Sequence, residues 1–250
     1  MSKIRHETKR QNVGRHIMTK LQKTTFFILF LTFASCEKKI SEIEFEKKVM
    51  TEILPSLIDS TCIDRRLMLN FPPKYGKAIF DEEGRYLRTD STKATNEEKL
   101  KLLEWKKRTL EIEKDTSKII IAFDPKIEIN KENVEEDFAK HFQGAKIFKP
   151  KREDNLEYFL DFENIKLNNK FKLKNINEFP KRDKIWETKY DFNFSGVAYF
   201  NKIQFDKDKK YGILDGGFGC GGKCGQGFRI YIKKKNNKWI VDKVEQTWIS

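Results

Sequence analysis

The chain has 250 residues, 51 Lys or Arg against 38 Asp or Glu, a net charge of +13 and 36% charged residues. Its first 35 residues hold seven of the basic residues and one of the acids, which leaves residues 36–250 at +7 with the two signs interleaved. A moderate, mixed excess of this kind falls short of the clustering of a dedicated nucleic-acid binder, so no nucleic-acid partner is expected.

Residues 18–36 read MTKLQKTTFFILFLTFASC. Two basic residues (Lys20, Lys23) precede an apolar run over 24–34 and then the small pair Ala34-Ser35 before Cys36. That order is a secretory signal, and the run is roughly half the ~20 residues a membrane-spanning helix needs. Phe33-Ala34-Ser35-Cys36 resembles the lipobox of bacterial lipoproteins, with Phe33 where leucine is usual. The resemblance implies removal of 1–35, a diacylglycerol on the Cys36 sulfur and a palmitate-type acyl chain on the new amino terminus. At about 0.8 kcal/mol per buried methylene, two or three chains make a stable membrane anchor. An ordinary secretory signal ending near a cysteine is the competing reading. The polar leader over 1–17 is unusual for a signal peptide, so Met18 is the better start, which leaves His141 as the one histidine of the processed chain.

Further along, apolar residues at Ile40, Ile43, Val49, Ile53, Leu54 and Leu57 have helical spacing, with Pro55 expected to kink or end the helix. This stretch is expected to be a tether that packs back on the domain. Residues 71–73 and 81–95 read as irregular connection. Thr95 and Glu98 form a capping box ahead of a helix to about Lys114, with Leu100, Leu103, Lys107 and Leu110 on its apolar face, widened by Leu102, Trp105 and Ile112. Residues 118–123 (KIIIAF) suit a buried strand, and 133–142 a short helix.

The last sixty residues alternate. Val197, Tyr199, Ile203 and Phe205 mark one strand, residues 206–210 a charged turn, and 211–214 the return. Phe228, Ile230 and Ile232 mark another strand, Asn236-Asn237 a two-residue turn, and 239–248 the last strand. The fold expected is α+β: N-terminal helices followed by a mostly antiparallel C-terminal sheet, cystatin-like or NTF2-like. The divisions are a signal peptide over 1–35, a helical tether and helical segment over 36–115, and an α+β domain over 116–250.

Residues 216–227 read GGFGCGGKCGQG, with seven of the thirteen glycines. Such density reads as a loop between two strands. Gly217, Gly222 and Lys223 match a phosphate-binding loop, but Cys224 replaces the hydroxyl residue and a strand follows where a helix is required. Cys220 and Cys224 are the natural disulfide pair in an oxidising compartment, leaving Cys62 over. The alternative is thiol or Cu(I) chemistry on the same pair, with His141 as a distant ligand.

No other set of residues reaches a catalytic constellation. His141 reads as a solvent-facing residue of a charged helix, and the acids at 135–137 and at Asp161 and Glu163 select nothing among 38. Alternation over 171–174 (FKLK) fits a half-buried strand better than a base-stacking face. No catalytic residue, metal or cofactor is expected.

Ser195-Gly196-Val197-Ala198-Tyr199-Phe200-Asn201, Cys220-Gly221-Gly222-Lys223-Cys224-Gly225, Lys238-Trp239-Ile240 and Trp248-Ile249-Ser250 together resemble uncharacterised lipoproteins of the Bacteroidetes group. The resemblance spans roughly the last quarter of the chain. It implies a cell-envelope location outside the cytoplasm and a lipid anchor in the inner or outer membrane, and it supplies no mechanism. A non-enzymatic envelope lipoprotein that binds an envelope protein or polymer, or serves assembly, is therefore the expected function.

Overall fold

In the computed structural model the helix α1 (Glu42–Thr61) buries Glu46, Val49, Met50, Ile53, Leu54, Leu57, Ile58 and Thr61. That three-and-four spacing puts one continuous face on the core. Ser41 caps it by accepting from the Glu44 amide at 3.2 Å. Pro55 neither ends nor breaks it. The carbonyl that proline leaves without a donor belongs to Thr51, an exposed residue, so no buried acceptor is orphaned. The structure describes residues 40–151, 155–167, 170–181 and 183–250. Cys36 and the expected signal segment lie outside the described residues. No helix among the described residues is long and apolar enough to cross a membrane.

The chain is α+β. A short helix α2 (Arg65–Met68) follows, then the strands β1 (Lys77–Phe80) and β2 (Tyr86–Asp90) and the helix α3 (Asn96–Lys114). Residues 81–95, expected to be irregular, thus contain one arm of a two-stranded antiparallel hairpin. The Thr95–Glu98 capping box is present, with Oγ1 and carboxylate bonds of 3.2 and 2.8 Å. The inward face of α3 is not the one expected. Leu102, Trp105, Thr109 and Ile112 are half-buried while Leu100, Leu103 and Leu110 are exposed. Hydrogen bonds decide it: Trp105 Nε1 donates to the Asn70 carbonyl at 2.7 Å and Asn70 Nδ2 to Thr109 Oγ1 at 2.7 Å. Both anchors lie on the Leu102 side.

The large sheet has the order β11-β10-β9-β7-β3-β6, with β8 beside β9. Its strands are β3 (Ile119–Phe123), β6 (Phe171–Asn175), β7 (Asn193–Phe200), β8 (Gln204–Phe205), β9 (Tyr211–Gly221), β10 (Cys224–Lys235) and β11 (Lys238–Ile249). Outside the large sheet lie a minor pair, β4 (Lys126–Ile127) and β5 (Tyr158–Phe159), and the helices α4 (Glu135–His141) and α5 (Lys184–Glu187). Every pair within the sheet is antiparallel except those of β3, which runs parallel to both β6 and β7. Buried along all five residues, β3 is the unbroken apolar run that a strand covered on both faces requires. Asn236 and Asn237 turn β10 into β11 with φ of 51° and 61°, the left-handed pair that asparagine tolerates.

Residues Ser41–Ser250 form one compact unit. One face of the sheet packs on α1 in the main core, around Phe123, Phe200, Phe218 and Ile230. The other face is covered in two separate places. Phe179, Ile185 and Trp186 lie over β3 and β7, while Val134 and Phe138 lie over Ile213 and Tyr231. Between those two patches the sheet is open.

At the opposite end of α1, Asp64 caps α2 and meets Arg66 at 3.0 Å and Lys170 at 2.7 Å. Burial pushes the Asp64 carboxyl up, but the Arg66 and Lys170 hydrogen bonds outweigh it and hold it below the usual range. Asp115, bonded by the Ser117 amide and by Arg66, is lowered to about 2. Depressed carboxylates add stability above their unfolded values that is lost as pH falls through the folded ones. The melting temperature of the protein is therefore expected to drop between about pH 4 and pH 2. Calorimetry in that window should show a smaller drop for Asp115→Asn, which lacks the titrating group; an unchanged slope would remove Asp115 from the account.

Candidate functional site: a glycine-floored aromatic platform

The glycine segment is not a loop. Residues Tyr211–Gly221 and Cys224–Lys235 are continuous strands, and only Gly222-Lys223 turn between them. The physical reason is packing above the backbone. A Cβ on Gly216 would overlap the Phe200 ring, one on Gly217 would meet Tyr199 Oη at 2.6 Å, and one on Gly227 would overlap Trp248 Nε1. One on Gly225 would meet the Trp248 benzo ring at 3.2 Å. Aromatic rings from neighbouring strands lie on bare backbone here, the device that protects glycine inside a sheet. The glycines permit this close approach, and strand pairing supplies the order that their composition alone does not.

Two of these rings share one row across four strands. Tyr199 on β7 pairs with Gly217 on β9, Gly217 with Gly227 on β10, and Gly227 with Trp248 on β11. All four belong to the face turned away from α1. Ala198 and Phe200, the chain neighbours of Tyr199, are buried in the main core. Trp248 reaches the outer face through a β-bulge. Gln246 pairs with Phe228 and Trp248 with Gly227, so Thr247 is the extra residue. A one-residue slip exchanges the faces of everything beyond it. Without the bulge the indole would follow Val244 and Gln246 to the inner face.

Tyr199 is 41% exposed and Trp248 47%. Each ring has one side on glycine and one side open. A cavity of about 470 Å³ lies over them, lined also by Asn130, Asn201, Asp215 and Arg229. Arg229 donates to Asp215 through Nε at 2.9 Å and Nη2 at 3.0 Å, and also to Asp137 on α4. Asn130 Nδ2 completes the Asp215 shell at 2.9 Å. Burial and the Asp215 charge raise the Tyr199 phenol above its ordinary value, so it stays a neutral donor.

The other residues singled out from sequence fall elsewhere. Cys220 and Cys224 are bridged, with Cα atoms 5.1 Å apart. The bridge spans the end of the β9–β10 hairpin, and Cys220 is buried in the main core. Cys62 is buried and free, its thiol pushed up to about 12 by burial. His141 is half-buried rather than solvent-facing: its ring stacks on Tyr231 at 4.1 Å and Nε2 meets Asp242 at 3.0 Å. Tertiary pairing with β11 supplied the orienting partner that the helix itself lacks. Glu135, Glu136, Asp161 and Glu163 stand exposed on the surface. Phe171 and Lys172 sit in β6 as expected of a half-buried strand. Among the described residues no group of three or more His, Cys, Asp or Glu is placed to hold a metal.

Neither a family model, nor a curated protein, nor a solved structure matches the chain.

Reduction of the Cys220–Cys224 bridge is expected to cost at most about 2 kcal/mol, because so short a closed loop removes little entropy from the unfolded chain. Tyr199, Trp248 and the ladder between β9 and β10 do not depend on it. Cys62 should resist a thiol reagent in the folded protein and react only on unfolding, since the thiolate is the nucleophile. Denaturation curves with and without reductant, with thiol-trapping along them, test both. Rapid labelling of Cys62 in the folded state would contradict its burial.

Proposed function

We propose that this chain is a lipid-anchored, non-enzymatic binding protein of the bacterial cell envelope, held by Cys36 and presenting the Tyr199–Trp248 platform to an envelope partner or polymer. The observation that carries the binding half is the open row of two aromatic rings on two glycines. Broad apolar faces beside a few convergent polar groups are the usual form of a recognition surface. Supporting the non-enzymatic half, the charged groups nearest Tyr199 are engaged with one another: Arg229 is held by Asp215 and Asp137. Groups so engaged brace a surface rather than exchange protons with a substrate.

The anchor half rests on residues 18–36, and a Cys220–Cys224 bridge is in keeping with an oxidising compartment. Intact mass spectrometry of the membrane-extracted protein, followed by digestion with thiol-trapping, tests it. A chain beginning at a lipidated Cys36 with the bridge intact is the expected result. An unmodified Cys36, or a chain that begins upstream of it, would overturn the anchor. Free thiols with bound copper at Cys220 and Cys224 would replace the binding reading with the thiol or metal one.

A further inference from the structure

We propose that the platform takes a neutral oligosaccharide, at least two pyranose rings long, laid across Tyr199 and Trp248; this rests on the binding reading above and names its ligand. Three properties of the row select that chemistry.

The first is shape. The two rings lie down on Gly217 and on Gly225 and Gly227 instead of standing off the sheet, so their open faces form a shallow floor. An aromatic face is the negative side of its quadrupole. The axial C–H bonds on one side of a pyranose are the complementary partner: flat, apolar and slightly positive. From β7 to β11 the row crosses three strand spacings, roughly 14 Å, longer than one sugar ring.

The second is the polar groups within that floor. Neither Tyr199 Oη nor Trp248 Nε1 has a hydrogen-bond partner among the described residues. They project over Gly217 and Gly227, which are paired with each other, so both handles fall near the middle of the row. A neutral phenol donates and accepts while an indole N–H only donates, and sugar hydroxyls satisfy both. Asn201 lies at the rim of the same cavity.

The third is charge. The cavity is lined by Glu128, Glu132 and Asp215 against Lys131 and Arg229, in a chain whose net charge is +13. Arg229, which would otherwise suit a phosphate or sulfate, is committed to Asp215 and Asp137. Arginine recognises such anions by its bidentate fork, and here the fork is occupied. With Glu128 also paired to Lys126 at 2.6 Å, the lining is close to neutral and offers no free arginine fork to a phosphorylated or sulfated ligand.

The test uses the full-length chain in detergent, titrated with the β-1,4-linked tetramers of glucose and of N-acetylglucosamine, and with a sulfated heparin tetramer as the anionic control. Binding is read by tryptophan fluorescence and by the Trp248 indole N–H resonance. At least one neutral tetramer should bind and shift that resonance. Trp248→Ala should weaken it at least tenfold. Gly227→Ala is the decisive variant, because it keeps both aromatic side chains. Its new methyl displaces the indole, a flexible side chain on an exposed surface, so the fold survives and the platform does not. It too should weaken binding at least tenfold with an unchanged circular dichroism spectrum. Failure of both neutral tetramers to bind, equal or tighter binding of the sulfated one, or full affinity in the Gly227→Ala variant would each overturn the proposal. A lipidated chain that binds no sugar removes this ligand and leaves the anchor; an unlipidated chain that binds sugar does the reverse.

Discussion

Glu46→Leu is expected to destabilise the fold by about 3–5 kcal/mol, the range for removing one member of a buried ion pair. Glu46 is 4% exposed and Lys202 5%. The carboxylate meets Lys202 Nζ at 3.1 Å, accepts from the Ile203 amide at 2.9 Å and from the Tyr158 hydroxyl at 3.3 Å. Leucine there leaves an ammonium, an amide and a phenol without their acceptor in the interior. Only the ammonium keeps another bond, to the Leu156 carbonyl at 3.0 Å. The double variant Glu46→Leu with Lys202→Met removes both charges, and a large part of the loss should return, because apolar pairs of similar volume replace buried ion pairs well. Chemical denaturation of the two variants measures this. Equal losses in both would show that the hydrogen bonds to Ile203 and Tyr158, and not the charge of Lys202, dominate. A pH dependence accompanies it. Burial raises the Glu46 carboxyl above its ordinary value despite Lys202. A raised carboxyl binds its proton more tightly in the folded state, so this group favours folding less as pH climbs through its folded value. Its slope is opposite to that of Asp64 and Asp115, and Lys202→Met should steepen it.

Gly196→Ala is expected to cost about 3 kcal/mol or more, at or beyond the upper end for overpacking a core. A Cβ at Gly196 would overlap the Gly219 carbonyl oxygen and come within 2.6 Å of the Phe218 ring, which is fully buried. The oxygen belongs to the β9 backbone, so relief requires β7 and β9, the middle pair of the sheet, to separate. Gly227→Ala presents the contrasting case, since its obstacle is the movable Trp248 ring. Thermal melts of the two variants side by side should show a large shift for the first and a small one for the second. A small shift for Gly196→Ala would mean that the two strands are less tightly apposed than described.

Local pattern alone determined a good deal. The α1 face, the Thr95 cap, the buried run of β3 and the Asn236-Asn237 turn each depend on neighbours within a few residues, where side-chain period and φ preference are decisive. Cys220 and Cys224 were legible as a pair for the same reason, being four residues apart. Long-range pairing decided the rest. The glycines of 216–227 are strand because rings from β7 and β11 cover them, and composition does not say which ring will lie on which glycine. Which side of α3 turns inward was settled by Asn70, far back in the chain. Trp248 owes its place on the platform to one extra residue, Thr247, and a bulge reverses the face of a side chain without any change in the sequence pattern. The sequence by itself determined the helices and the alternating strands, whose causes are local; only the tertiary structure decided the platform, because four strands must align before Tyr199, Gly217, Gly227 and Trp248 become neighbours.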